Sequence, residues 1–405
     1  MKSLIGKVLV GASLVLFVVL WVGMTWAALA LNDDTQLTTL DPQGPNAQSI
    51  QNLVSPVFII AGLVFIGVLG AVFVASIKFR DKGDEDSLEL PHQLHGKTGL
   101  EIGWTAAPAA VLAVVGALTV MGIAELNSPG DDPIKVEVFA QQWWWGYRYD
   151  VDNDGSYDSS GDIETATEMV IPAGRDVDLT IISNDVIHSF WIPALNGKRD
   201  AVPGNPNTWK LNASEPGVYR GQCTEFCGLS HANMRMIVRA VPADEYDDWV
   251  AGQKRSAVSP AADSIADEGK TQWESLCAGC HLIDGVNNEQ LATSPPALVS
   301  GIAPDLTHLM SRGTFAGSIV NLHYPDDPDT GAGCTQDTLD ECGDPSDPSL
   351  AGNPNNPIYT ADLEEWLRNP EDVKPMAPDE GRGMPDLGLT EDQITQLVAY
   401  LSTLE

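Results

Sequence analysis

The chain has 405 residues, with 22 Lys+Arg against 56 Asp+Glu and a formal net charge of -34 at pH 7. That balance excludes a nucleic-acid binder working through phosphate contacts, and the length suits two or three domains. So acidic a surface fits a basic partner or a high-salt habitat, or serves solubility alone. The six cysteines fall in three close pairs, which speaks for an oxidising compartment, each pair reading as a ligand set, a cofactor attachment or a disulfide.

Three apolar stretches come first, at about 8–31, 55–77 and 104–125. Each exceeds the roughly 18 residues needed to cross a bilayer. The first has two readings: its length favours a membrane anchor, whereas Ala28-Leu-Ala30 has the small residues of a cleavage site, making residues 1–31 a signal peptide. Residues 45–127 are expected to form a transmembrane helical hairpin. Lys2 and Lys7 precede the first stretch, the connection from Asn32 to Val54 has no Lys or Arg, and the next connection carries Lys78, Arg80, Lys82 and Lys97. The positive-inside rule puts that second connection in the cytoplasm and the chain after Asn127 outside.

Between Ile134 and Pro242 the pattern shortens to alternating runs, Ile134-Lys-Val-Glu-Val-Phe139, Val177-Asp-Leu-Thr-Ile-Ile182 and Met236-Ile-Val-Arg-Ala240, with Gly, Pro and Asn between them. Short strands bounded by turn residues predict a β-sandwich or barrel over residues 128–250. Gln142-Trp-Trp-Trp-Gly-Tyr-Arg-Tyr149 is the most aromatic run in the chain. By composition it is core packing or a partner surface. Asp150-Val-Asp-Asn-Asp-Gly155 matches the first half of a calcium loop, but Gly161 stands where the twelfth position needs Glu, so the segment reads as an acidic hairpin turn.

Cys223-Thr-Glu-Phe-Cys-Gly-Leu-Ser-His-Ala-Asn-Met234 packs two thiols, an imidazole and a thioether into one loop. His188, in Asp185-Val-Ile-His-Ser-Phe-Trp191 at the end of a strand, adds a further soft ligand. A disulfide or a structural zinc site would use the cysteines alone or with histidine. With His188, His231 and Met234 in register, the set favours copper, and it exceeds what one blue-copper ion takes. The surplus thiolate suggests two metals.

The loop closely resembles the binuclear copper loop of the cytochrome c oxidase subunit II family, Cys-x-Glu-x-Cys-x-x-x-His-x-x-Met. The resemblance implies a Greek-key cupredoxin in which Cys223 and Cys227 bridge two coppers, His188 and His231 are terminal ligands, Met234 is a weak ligand and Glu225 contributes its backbone carbonyl. It also implies that the Glu225 carboxylate reaches a magnesium or manganese ion at the border with subunit I. Glu101-Ile-Gly-Trp-Thr-Ala-Ala-Pro108 resembles the start of that family's second helix, and Pro172-Ala-Gly-Arg and Lys198-Arg-Asp-Ala-Val-Pro-Gly204 are similar to it too. The aromatic run fits the family's Gln-Trp-x-Trp-x-Tyr-x-Tyr, whose first Trp, here Trp143, is where electrons reach the copper. The family's two-helix norm favours removal of the first stretch, while its length favours retention.

Residues 251–262 read as a linker. In the remainder, 263–405, Cys277-Ala-Gly-Cys-His281 is the attachment pattern of c-type haem: Cys277 and Cys280 take the vinyl groups and His281 the iron. A thioredoxin-like pair would want a βαβ setting and no His. A helix-like stretch before the motif and a helical C-terminus predict an all-α c-type cytochrome domain. Met376 and Met384 both qualify as the second iron ligand, whereas Met310 follows too closely. Gly383-Met-Pro-Asp-Leu-Gly-Leu-Thr-Glu391 runs into a helix over Gln393–Leu404, as in cytochrome c domains fused to some subunits II, and this favours Met384. Pro304-Asp-Leu-Thr-His308 resembles the same domains, with His308 held by structural hydrogen bonds. An Asp-, Pro- and Asn-rich insertion at 323–359 lacks the composition for a core of its own, and its Cys334 and Cys342 are expected to pair.

Taken whole, the resemblance implies the haem c-fused subunit II of a caa-type cytochrome c oxidase in a bacterial plasma membrane, with the cupredoxin and cytochrome domains on the extracytoplasmic side. Its partners would be subunit I and subunit III, with cytochrome c or a cytochrome bc complex as donor. Electrons would run from the donor through haem c and the copper pair to the oxygen-reducing site in subunit I. The alternative is the copper subunit of a nitric oxide reductase. Nitrous oxide reductase lacks a membrane hairpin, a free-standing carrier has no use for one, and quinol oxidases lack the copper thiolates.

Overall fold

The computed structural model describes residues 37–80, 96–157, 161–287, 303–327, 332–338 and 351–405. The first apolar stretch, Lys82 and Cys342 lie outside them.

Two long helices come first, α1 (Pro45–Lys78) and α2 (Thr98–Leu126). Both are long and apolar enough to cross a membrane. Each begins before the apolar span read from sequence, because helical geometry continues through polar end turns that a hydropathy count leaves out. Side chains such as Phe58, Leu63, Leu112 and Val120 are exposed, the arrangement expected of helices whose solvent is hydrocarbon.

Among the described residues the β domain contains ten strands: β1 (Ile134–Gln141), β2 (Trp144–Tyr149), β3 (Ile163–Ala166), β4 (Glu168–Pro172), β5 (Val177–Ser183), β6 (His188–Phe190), β7 (Arg199–Ala201), β8 (Asn207–Leu211), β9 (Gly217–Gln222) and β10 (Arg235–Val241). One sheet has the order β3-β2-β1-β5-β8, a second β4-β10-β9, and β6 pairs with β7 alone. Alternation sets the inward face: in β5, Val177, Leu179 and Ile181 are buried while Asp178, Thr180 and Ile182 are only partly so. Those three join Val136, Val138, Ile171, Met236 and Val238 in one core. Two pairings are parallel, β1 with β5 and β4 with β10. A chain of consecutive hairpins cannot give them, so the chain crosses between sheets, as a sandwich requires.

The aromatic run is core packing. Trp145, Tyr147 and Tyr149 are fully buried in the main core, and Trp144 packs against Phe139 and Ala166 in a second cluster. Tyr149 Oη donates to Val170 O at 2.9 Å and accepts from Val170 N at 2.8 Å, tying β2 to β4. The acidic segment that follows is the β2–β3 turn, closed by Gly155 N donating to Asp150 Oδ2.

Helix α3 (Ala243–Gln253) carries regular structure into the segment expected to be linker. Beyond it lie α4 (Ile265–Leu276), a two-stranded hairpin of β11 (Thr314–Phe315) and β12 (Val320–Asn321), then α5 (Ala361–Arg368), α6 (Pro370–Val373) and α7 (Glu391–Leu401). Trp273, Leu363, Leu367, Ile394, Leu397 and Leu401 build their common core. The small hairpin departs from the all-α expectation. The insertion departs too: Tyr324, Cys334 and Tyr359 form a small cluster, which its bridges His323↔Ile358 and Pro325↔Gly352 close at the base. Composition missed this because one disulfide-bonded Cys and two Tyr outweigh their number in apolar contact. Cys334 is disulfide-bonded; Cys342, expected as its partner, lies outside the described residues.

The C-terminal domain rests on the β domain through buried polar contacts. Glu168, at the start of β4, accepts from Thr314 N at 2.7 Å and Thr314 Oγ1 at 2.9 Å, and from Arg239 at 3.1 Å.

Candidate metal centres

The loop joining β9 to β10 is closed at its base by Cys223 N donating to Met234 O at 3.0 Å. β6 lies alongside, with Thr224 N donating to Ser189 O at 3.1 Å, and this brings His188 to the loop. Cys223 Sγ lies 3.8 Å from Cys227 Sγ and 4.0 Å from His188 Nδ1. Cys227 Sγ lies 3.5 Å from His231 Nδ1 and 3.8 Å from Met234 Sδ. The Glu225 carbonyl is 3.3 Å from Cys223 Sγ. The six residues named from sequence are thus linked by short contacts between donor atoms, and those of His188, Cys223 and Cys227 all lie within 4.8 Å of one another.

Sulfurs 3.8 Å apart are not disulfide-bonded, since that bond is about 2.05 Å long. The spacing suits sulfurs that share a metal, each at a metal–thiolate distance of about 2.3 Å. Both thiols are free and buried, as are His188 and Met234. The hydrogen bond from the Cys227 thiol, with help from His188, pulls the Cys223 thiol down to about 4, and the same pairing pushes Cys227 up. Two buried sulfurs thus resist ionising together until a cation joins them. A thioether beside them favours copper over zinc.

Two supports of these ligands, Asp185 and Gln142, were not singled out from sequence, whereas Trp143 was named there for another role, electron entry. His188 Nε2 donates to Asp185 Oδ1 at 2.8 Å, which leaves Nδ1 facing Cys223. Burial alone would lower the His188 imidazole, but Asp185 and Cys223 more than offset it. Asp185 Oδ2 in turn accepts from Gln142 N at 2.8 Å. The Cys227 carbonyl accepts from the Trp143 indole N–H at 3.0 Å and from the Gln142 side-chain amide. Gly228, with φ +115, lets the loop pass this pair; a Cβ there would meet Gln142 Nε2 at 2.9 Å and the Trp143 ring at 3.2 Å. Asp185 stands three residues before His188, a spacing that could have flagged it.

Asp185→Asn is expected to weaken copper retention about 10–100-fold, the usual loss for a group that orients a metal-bound imidazole. Competition with a copper chelator measures it, and retention equal to the wild type would assign Asp185 a structural role alone.

At the haem motif, Cys277 and Cys280 are free thiols, and Cys277 is pushed up to about 11 by burial. His281 Nδ1 lies 2.7 Å from the Pro304 carbonyl. That contact fixes the proton on Nδ1 and leaves Nε2 for a metal, the arrangement an iron-bound imidazole needs. The residues present therefore fit a covalently attached haem. His308 places Nδ1 2.8 Å from Glu405 O and Nε2 3.1 Å from Gln253 O, so both ring nitrogens are engaged structurally. Met384 Sδ accepts from the Trp366 indole N–H at 3.1 Å. Met376 is buried within the β-domain core cluster.

A β-sandwich that gathers thiols, imidazoles and a thioether at one end, following two membrane-length helices, defines a membrane-anchored, cupredoxin-like copper protein. Residues 134–241 match cytochrome c oxidase subunit II, periplasmic domain, and residues 32–121 match cytochrome c oxidase subunit II, transmembrane domain. The chain is 32% identical over 380 residues to cytochrome c oxidase subunit 2 of Alkalihalophilus pseudofirmus, spanning 92% of each. It is 30% identical over 343 residues to that of Bacillus sp. strain PS3, spanning 80% of this chain and 79% of the relative. The crystal structure of the periplasmic domain of subunit II of Bradyrhizobium japonicum cytochrome oxidase is 29% identical, with a TM-score of 0.28 over 32% of this chain and 97% of that one. The chain belongs to the cytochrome c oxidase subunit II family.

Proposed function

We propose that this chain is the electron-relay subunit of a cytochrome c oxidase, with haem c on its C-terminal domain (263–405) and a binuclear copper centre in its β domain (128–250). His188, Cys223, Glu225 through its carbonyl, Cys227, His231 and Met234 would hold the coppers. Cys277, Cys280, His281 and Met384 would hold the haem. These groups, when bound, accept and release single electrons. The chain's own residues would do the rest: they line both sites and fix the tautomers of His188 through Asp185 and of His281 through the Pro304 carbonyl. One observation carries the reading: the C-terminal domain packs against Trp143, whose indole holds the carbonyl of the copper-loop residue Cys227.

The exposed side chains of the copper loop point to its partner. Phe226 is 77% exposed beside the His231 ring, and Leu229 is 63% exposed. An apolar rim around a redox site fits the surface of a large subunit that takes the electron. The Glu225 carboxylate, exposed on the same loop, is available to a magnesium or manganese ion shared with that subunit. The two helices would hold the chain in a bacterial plasma membrane, with both redox domains outside and the Lys-bearing connection inside.

Purification of the assembled complex tests the proposal. A large haem-copper subunit should copurify, and reduced cytochrome c or a bc complex should support oxygen uptake. Nitric oxide reduction without oxygen uptake would instead favour the reductase reading.

A further inference from the structure

Lys374 is the least expected residue of the C-terminal domain. It is 3% exposed, although lysine is almost never buried without a counter-charge. Its two hydrogen bonds both go to main-chain carbonyls, Trp143 O at 2.6 Å and Ala316 O at 2.9 Å. Among the described residues no carboxylate lies within ion-pairing distance of it. Burial pushes its amine down from the ordinary lysine range. Such a group costs stability, and its position says what it does. Trp143 offers its carbonyl to Lys374 and its indole N–H to Cys227 O, so one residue lies between Lys374 and the copper loop.

The packing around Lys374 is close. Gly317, at φ +81 in the β11–β12 turn, leaves no room for a side chain: a Cβ would meet Asn233 O at 2.5 Å and Lys374 Nζ at 2.7 Å. Arg235 N donates to Gly317 O at 3.1 Å, next to Met234. The chain that follows Lys374 stays on the copper domain. Met376 joins its core, and Arg382 reaches Asp185, the partner of His188, at 3.8 Å. Two residues later comes Met384. A single strap, from Lys374 to Met384, thus touches the supports of one thiolate and one imidazole and ends at the expected iron ligand.

We propose that Lys374 is a positioning residue for electron transfer between the two centres: it seats the haem-domain strap on Trp143 and, through Trp143, fixes the Cys227 side of the copper site. This rests on the relay reading above. The recognition is internal to the chain, so electrons from haem would reach the copper pair without a diffusive docking step.

The test uses the full chain loaded with haem and copper. Lys374→Met keeps the length and apolar stem of the side chain and removes the charge and donors. It should slow haem-to-copper electron transfer about tenfold or more, as for loss of a group that orients a metal ligand, and shift the copper absorption while the haem spectrum stays unchanged. Lys374→Gln keeps an N–H for the Trp143 carbonyl and should fall between the two; it also serves if Lys374→Met does not accumulate. A double-mutant cycle with Trp143→Phe, which removes the indole N–H, separates positioning from packing. If Lys374 acts through Trp143, its effect on the copper spectrum is largely lost in the Trp143→Phe background. Wild-type transfer rates and copper spectra in both Lys374 variants, or fully additive effects in the cycle, would overturn the proposal. A wild type that passes no electron from haem to copper would overturn the relay reading as well.

Discussion

Cys227→Ser is expected to remove the proposed binuclear copper centre and, with it, nearly all oxygen uptake by the assembled complex. Cys227 Sγ is the hub of the site, within 3.5 to 3.8 Å of His231 Nδ1, Cys223 Sγ and Met234 Sδ. A serine hydroxyl is a hard donor and cannot bridge two soft metal ions. It would also leave Cys223 as the sole thiolate, enough for one copper of blue type and not for two. Since loss of a supporting group alone costs about 10–100-fold, loss of the bridging ligand should cost more than that in turnover. Haem attachment at Cys277 and Cys280 should be untouched. Cys223→Ser should behave alike, and a variant of either cysteine that kept both the copper and its spectrum would refute the bridging assignment.

Met384→Ala is expected to abolish the iron-sulfur absorption band and lower the haem potential, leaving the haem covalently bound. Pro385 biases Met384 to an extended backbone. The chain then enters α7 through a capping box in which Thr390 and Gln393 bond each other's backbone amides. That helix packs in the C-terminal core, so the strap is anchored just beyond the thioether. The Trp366 indole N–H already points at Met384 Sδ. A thioether ligand raises haem potential, so its removal should make the haem easier to oxidise. Met376→Ala should leave the haem spectrum nearly unchanged. Its cost falls on packing, about 2–5 kcal/mol for a buried Met, and should appear as a lower melting temperature, because Met376 lies in the β-domain core. The opposite pattern of spectra would exchange the two assignments.

The candidate donors of these two proposed sites could be named from the sequence because their spacing is local. The copper loop holds five of the six proposed donor residues within 223–234, and the haem motif holds three of the four proposed ones within 277–281. The membrane helices and alternating strands were legible for the same reason, each declaring itself within its own length. What the sequence hid is long-range. Nothing around Lys374 marks it as buried, and its partner Trp143 lies 231 residues away. The parallel pairings of β1 with β5 and β4 with β10 are also invisible to local alternation, which sets a strand's inward face and not its neighbour. Trp143 shows the limit of reading composition alone. The aromatic run is core packing from Trp144 to Tyr149, yet its first Trp, Trp143, also supports the copper loop and meets the other domain.

The central claim, that electrons pass from haem c to the copper pair within one chain, is tested most directly by rapid reduction of the fully oxidised, metal-loaded protein with a limiting amount of reduced donor. Haem and copper absorption are followed in the same mixture. The account predicts that the haem is reduced first and then reoxidised as the copper centre takes the electron, at a rate independent of protein concentration. Copper reduction that precedes haem reduction, or that rises with protein concentration, would contradict it.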